Sequence, residues 1–274
     1  MREYAFDNVW VHARQRLRGL EQLLDPGTVR HLASIGVAEG WRCLEVGAGG
    51  GSMTEWLCRR VGPDGLVMAT DLDTRFLEAL RMPNLQIRRH DIASDDLPDG
   101  GFDLVLSRLV LGHARDRERA LERMGAALRP GGWLVCEDGD NTSVALLSPT
   151  DPRSTELFMK VERAKDAALA AHGHVYCGRQ LYGLVRRLRL DDVRAEGRVP
   201  LLYAGTESTR WKRLSVEQLA QDITTARLAT EAEVAAYLAL LDSPNFVAQG
   251  FTVMTAWGRR PDGAKGSPDH GMAS

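Results

Sequence analysis

Cys43-Leu44-Glu45-Val46 is a short apolar run broken by one acid, and Gly47, Gly49 and Gly51 follow it at alternate positions. Such a run predicts a buried parallel strand, and the glycines predict a tight turn into the next helix. Backbone without Cβ lets a nucleoside-type ligand lie almost against the main chain. Glu45, two residues before Gly47, falls at the carboxyl end of the strand, where open α/β sheets bind ligands. An anion there repels a pyrophosphate and suits a cation.

The pattern after Trp41 extends this reading. Strand-like runs at 42–46, 66–71, 85–90, 102–108 and 133–138 alternate with helix-like runs at 52–61, 73–80 and 117–128. That rhythm predicts an α/β fold with a doubly wound, mostly parallel sheet, right-handed crossovers and helices on both faces. Residues 7–25 have helical apolar spacing, and Asp25-Pro26-Gly27-Thr28 is expected to end that helix and start another through about Ile35. Helical cap insertions are expected at about 141–177 and 206–242, with helices over 154–172, from Leu214 and over 230–241. A sixth strand is expected at 193–199 and a β-prone run at 251–258. The expected organisation is an N-terminal helical cap segment (1–36), one domain with lid insertions (37–260) and a disordered tail (261–274).

Composition narrows the partners. A net charge of −2 over 274 residues offers no basic stripe for nucleic acid. No apolar signal core or 18-residue apolar run appears, so a cytoplasmic protein without membrane attachment is expected. Cys43, Cys58, Cys136 and Cys177 show no C-x-x-C or metal-ligand spacing, so reduced thiols and no metal are expected. A homodimer is compatible with this composition.

The glycine register separates the nucleotide cofactors. A dinucleotide loop needs G-x-G-x-x-G, but counting from Gly47 puts Ser52 in the last position, and counting from Gly49 puts Thr54 there. The spacing is E-x-G-x-G-x-G. With the segments that follow it in order, this resembles the class I S-adenosylmethionine-dependent methyltransferases of small-molecule, natural-product (UbiE-like) type. The resemblance implies a Rossmann-like fold with seven strands, the last antiparallel near Phe251–Trp257, and S-adenosyl-L-methionine as cofactor. Glu45, Gly47, Ala48, Gly49 and Gly51 would form the first cofactor motif. Asp71, ending the second strand, would accept the ribose hydroxyls while Leu72 packs on adenine; the alternative is that Asp71 merely caps a helix, a task better suited to Asp73. Asp91 and Ile92 match the family's adenine contacts. Backbone carbonyls near Ser107 and Arg108, ending the fourth strand, would receive the ligand's ammonium, and Leu128-Arg129-Pro130-Gly131-Gly132 matches the turn into strand five.

Methyl transfer from a sulfonium is an in-line displacement that needs proximity and desolvation more than a dedicated base. If a base is used, His113, beyond strand four, is the best-placed catalytic candidate; the alternative is a packing or capping histidine on a loop. His12 and His31 read as structural, His90 as pointing sideways from a strand end, His172 and His174 as flanking a cap helix end, and His270 as part of the tail. Tyr4, Phe6, Trp10, Phe158, Tyr176, Tyr182, Tyr203 and Trp211 lie outside the central strands, where they would wall a pocket for a small organic acceptor or pack the cap. The expected activity is methyl transfer to an O, C or N atom of such an acceptor, in secondary metabolism. The alternatives are a repurposed fold that holds the cofactor, or its demethylated product, during a step such as cyclisation, and a non-catalytic interaction protein.

Overall fold

The computed structural model describes residues 6, 8–97, 100–170, 173 and 175–262. Expectations for Tyr4, His172, His174, His270 and the tail after Asp262 fall outside those residues. The first strands are β1 (Arg42–Val46), β2 (Leu66–Asp71), β3 (Leu85–Arg89), β4 (Phe102–Arg108) and β5 (Leu128–Asp140). They are followed by β6 (Ala145–Ser148), β7 (Asp191–Arg198), β8 (Leu201–Tyr203), β9 (Val247–Gln249) and β10 (Thr252–Arg259). Seven of them form one sheet in the order β3-β2-β1-β4-β5-β10-β7. β1 to β5 are mutually parallel, and β10 runs antiparallel between β5 and β7. This is the doubly wound, Rossmann-like sheet expected from the alternation. Its winding reverses between β1 and β4, which opens a crevice at their carboxyl ends.

Alternation along the strands assigns the two faces. Leu44, Val46, Val105, Leu134 and Cys136 point to one face, covered by α3 (Arg117–Ala127) and α5 (Gly178–Arg186). Cys43, Val67, Leu104, Leu106 and Val135 point to the other, covered by α1 (Ala13–Ser34) and α2 (Ser52–Val61). A separate apolar core holds α4 (Pro152–Ala170), α6 (Glu207–Thr225) and α7 (Glu231–Leu241) with the small antiparallel sheet β6-β9-β8. Phe158 stacks on Tyr237 at its centre, with ring centroids 5.5 Å apart. This cap docks through α1, where Gly19 lets the helix lie directly on the Glu207 backbone and Trp211 of α6. Among the described residues no helix is long and apolar enough to cross a membrane.

Three local expectations are corrected. Helix α1 does not stop at Asp25-Pro26 but runs through Pro26. Tertiary packing overrides the local breaker, because Leu24 is buried in the cap core and Leu32 in the sheet core. Asp73–Leu80 yields only a 3-10 turn at Leu77–Ala79. The Asp71 carboxylate takes the Asp73 amide at 3.0 Å and the Asp73 carboxylate takes the Arg75 amide at 3.2 Å, so local side-chain turns displace the helix start. The cap helix expected from Leu214 begins at Glu207, capped by Thr206. The small sheet was not expected, since its strands have only three or four residues, too few for a period-2 signal.

Candidate functional site

The crevice between β1 and β4 is floored by the glycine loop. Gly47, Gly49 and Gly51 all have left-handed backbone, at φ +70°, +55° and +87°, a conformation that disfavours any residue with a Cβ. The amides of Gly47 and Ala48 both donate to the Thr70 carbonyl, at 2.8 and 3.0 Å, tying the loop to the end of β2. A Cβ on Gly47 would collide with Val110, and one on Gly51 with Leu80 at 2.8 Å. At Gly49 the situation is the reverse. A Cβ there would meet only Leu17 of α1, at 3.9 Å, so the missing side chain leaves a cradle open above the backbone.

Two carboxylates border that cradle. Glu45 is buried, and its Oε2 accepts the Thr54 hydroxyl at 2.5 Å. Burial pushes its carboxyl up to about 7, against the opposing pull of the Thr54 bond and the Arg108 charge. Asp71 accepts the Gly49 amide on Oδ2 at 2.8 Å and the Asp73 amide on Oδ1. Burial raises its carboxyl too, with those backbone donors opposing. Beyond Asp71, Leu72 is 56 % exposed and lines, with Asp73, Arg75 and Arg89, an open crevice of about 540 Å³.

The remaining predicted residues surround this floor on three strands. His90, which follows β3, is buried; its amide donates to the Asp71 carbonyl at 2.9 Å, which sets Asp91 and Ile92 beside the end of β2. Asp91 closes its own turn by accepting the Ala93 amide at 2.9 Å, and Ile92 is buried. Ser107 is buried on β4, level with Val46 of β1. The Arg108 guanidinium donates to Asp25 Oδ1 at 2.7 Å and reaches Thr28 and Ser52. His113 stands on the turn after β4, its amide bonded to the Val110 carbonyl at 2.9 Å. Packing around the ring pushes its pKa down to about 4, and the nearby Arg16 charge adds to this.

Three participants escaped the sequence reading. Asp25 looked like a helix stop, and only the tertiary contact to Arg108 and Ser52 shows that it faces the loop. Thr54 looked like a helix-filling residue. Asp138, at the end of β5, accepts the Gly112 and Gly139 amides, both at 2.9 Å, and so fixes the turn that carries His113. Burial raises its carboxyl to about 6 despite those donors. An acid closing a strand, as at Glu45 and Asp71, was the available signal. The aromatic residues named from sequence spread rather than converge. Phe158 fills the cap core, Trp211 packs on Phe251, and Tyr176, Tyr182 and Tyr203 are exposed.

With this geometry in view, likeness to known proteins is informative. The family described as a methyltransferase domain matches residues 1–194. The chain belongs to that family. An uncharacterised methyltransferase of Mycobacterium tuberculosis (strain ATCC 25618 / H37Rv) is 39% identical over 101 residues, covering 35% of this chain and 50% of the relative. The demethylmenaquinone methyltransferase of Staphylococcus aureus (strain JH9) is 32% identical over 112 residues, covering 39% and 46%. The methyltransferase-domain chain thus spans about half the length of these curated relatives. Its fold is similar to that of the YcgJ protein of Bacillus subtilis, with a TM-score of 0.55 at 15% identity, covering 85% of this chain and 97% of that one.

Proposed function

We propose that this protein transfers a methyl group from S-adenosylmethionine to a small organic acceptor. The observation that carries the reading is the open cradle over Gly49, set between two strand-end acids at the switch point of the sheet. The residues fit the cofactor: left-handed glycines admit its adenosine, and the acids suit a cationic ligand with no pyrophosphate. When bound, the cofactor supplies an electrophilic methyl on a sulfonium.

The chain's own residues bind, orient and exclude water. Asp71 braces Gly49 and is placed to accept ribose hydroxyls with its remaining lone pairs. Asp91 and Ile92 stand where adenine would end, and Ser107 and Arg108 where the methionine tail would lie. Val110 packs against Gly47 and Leu17 stands over Gly49, apolar contacts that would help to exclude water around a bound ligand. His113 stands on the turn after β4, and its pKa is held down to about 4. The ring is therefore unprotonated at pH 7 but weakly basic, so a role as base rests on its position. The S. aureus relative, named for demethylmenaquinone, supports a small organic acceptor rather than a macromolecule.

Calorimetric titration with S-adenosylmethionine and S-adenosylhomocysteine tests the reading. Binding of both is expected, and binding of neither overturns it. His113→Ala should slow methylation of an oxygen acceptor strongly, and an undiminished rate returns His113 to a packing role.

A further inference from the structure

Helix α1 covers one face of the sheet, but its inner stripe also addresses the glycine loop. Arg14, Leu17, Glu21 and Asp25 recur at helical spacing on one side. Leu17 lies over Gly49, and Glu21, bonded to Arg14 at 3.2 Å, lies over Gly50. Asp25 accepts the Ser52 hydroxyl at 3.1 Å at the start of α2. Both of its hydrogen bonds, to Ser52 and Arg108, fall on Oδ1; among the described residues Oδ2 accepts none. The side chain is 28% exposed, so this second oxygen has room for a partner. Glu45, by contrast, is sealed in and held by Thr54. Glu45 also feels the negative charges of Asp25 and Asp71, with Arg108 as the opposing charge. Even with Glu45 protonated, Asp25 and Asp71 face the single Arg108 guanidinium, which leaves a local surplus of negative charge. The ligand group that best balances this surplus is a cation with donors to spare, and an ammonium has three.

We propose that Asp25 is a cofactor-binding residue whose Oδ2 receives the ammonium at the methionine end of S-adenosylmethionine, making α1 a wall of the cofactor site. This rests on the cofactor reading above. The unbroken run of α1 through Pro26 is what holds the Asp25 carboxylate against Ser52 and Arg108.

Two ligands separate recognition from mere helix docking. S-adenosylhomocysteine carries the ammonium, whereas 5′-methylthioadenosine shares the adenosine and thioether but has no amino-acid tail. Asp25→Asn is expected to weaken S-adenosylhomocysteine about tenfold or more, the scale of a charge-assisted hydrogen bond, and to leave 5′-methylthioadenosine within twofold. Asp25→Ser is expected to give the same pattern and serves if the first variant does not fold. Unchanged affinity for both ligands, or equal loss for both, overturns the assignment. Wild-type protein that binds neither ligand overturns the cofactor reading itself, and this inference with it.

Discussion

Asp71 Oδ2 accepts the Gly49 amide at 2.8 Å, so one carboxylate both borders the cradle and holds its shape. Its other oxygen closes the Asp73 turn, which leads into Leu72 and the open crevice beside it. Asp71→Ala removes both bonds at a half-buried position where burial already works against the charge. The expected loss in melting temperature is small. The expected loss in affinity is about tenfold or more, and it should be equal for S-adenosylhomocysteine and 5′-methylthioadenosine, since both carry the ribose. Calorimetry with both ligands checks this, and unchanged affinities would remove the ribose role.

Gly49 has a left-handed backbone, and a Cβ there would make only an ordinary contact with Leu17, at 3.9 Å, so substitution acts on the ligand more than on the fold. Gly49→Val should destabilise the protein by about 1–2 kcal/mol through backbone strain and abolish binding of S-adenosylhomocysteine by filling the cradle. Thermal melts with calorimetry read both effects. A folded Gly49→Val that binds normally would place the cofactor elsewhere.

Glu45 gives a pH signature. Its carboxyl holds a proton up to about pH 7 in the folded protein but only to about 4.5 when unfolded. Unfolding between those limits releases a proton, so stability from this group is full below pH 4.5 and is lost as pH rises through 7. Glu45→Gln escapes that loss. The variant should match the wild type near pH 4.5 and exceed it at pH 8 by something on the order of 3 kcal/mol. Urea melts at the two pH values decide it; a difference independent of pH would show that Glu45 does not titrate in this range.

How far the sequence could be read depended on the range of the interactions. β1, β2 and β4 begin and end where their apolar runs do, because strands buried on both faces write a continuous signal. The glycine loop and its two acids were legible for the same local reason: spacing along one turn fixes their geometry. Asp25 was not, since its partners Ser52 and Arg108 lie 27 and 83 residues away and its own neighbours, Pro26 and Gly27, spell a helix end. Thr54 and Asp138 were missed likewise, because a hydroxyl one helix away from Glu45 and a carboxylate one strand away from the His113 turn leave no periodic trace. The cap core was visible as apolar helices, but the polar cluster inside it was not.

That cluster supplies a prediction independent of the cofactor. Glu162 of α4 is buried between Lys165 of the same helix, at 2.7 Å, and Lys212 of α6, at 2.6 Å, and it also accepts the Tyr237 hydroxyl of α7. Burial works against its charge, yet the two ammonium groups hold it well below the usual carboxylate range. Burial likewise pushes Lys212 down, to about 8, with the shared carboxylate opposing. Removing the carboxylate alone leaves two buried cations facing each other, so Glu162→Ala should cost about 3–5 kcal/mol. Replacing the three ions with apolar side chains and removing the buried hydroxyl with them (Glu162→Leu, Lys165→Met, Lys212→Met, Tyr237→Phe) should cost much less than Glu162→Ala. Desolvation of the ions is removed along with their attraction, and what remains is the loss of the Lys165 partner of Asp166 at 3.2 Å. Chemical denaturation of the single and quadruple variants reads the contrast. A quadruple variant as unstable as Glu162→Ala would mean that the cluster is needed for net cap stability, and not merely costly to leave half-paired.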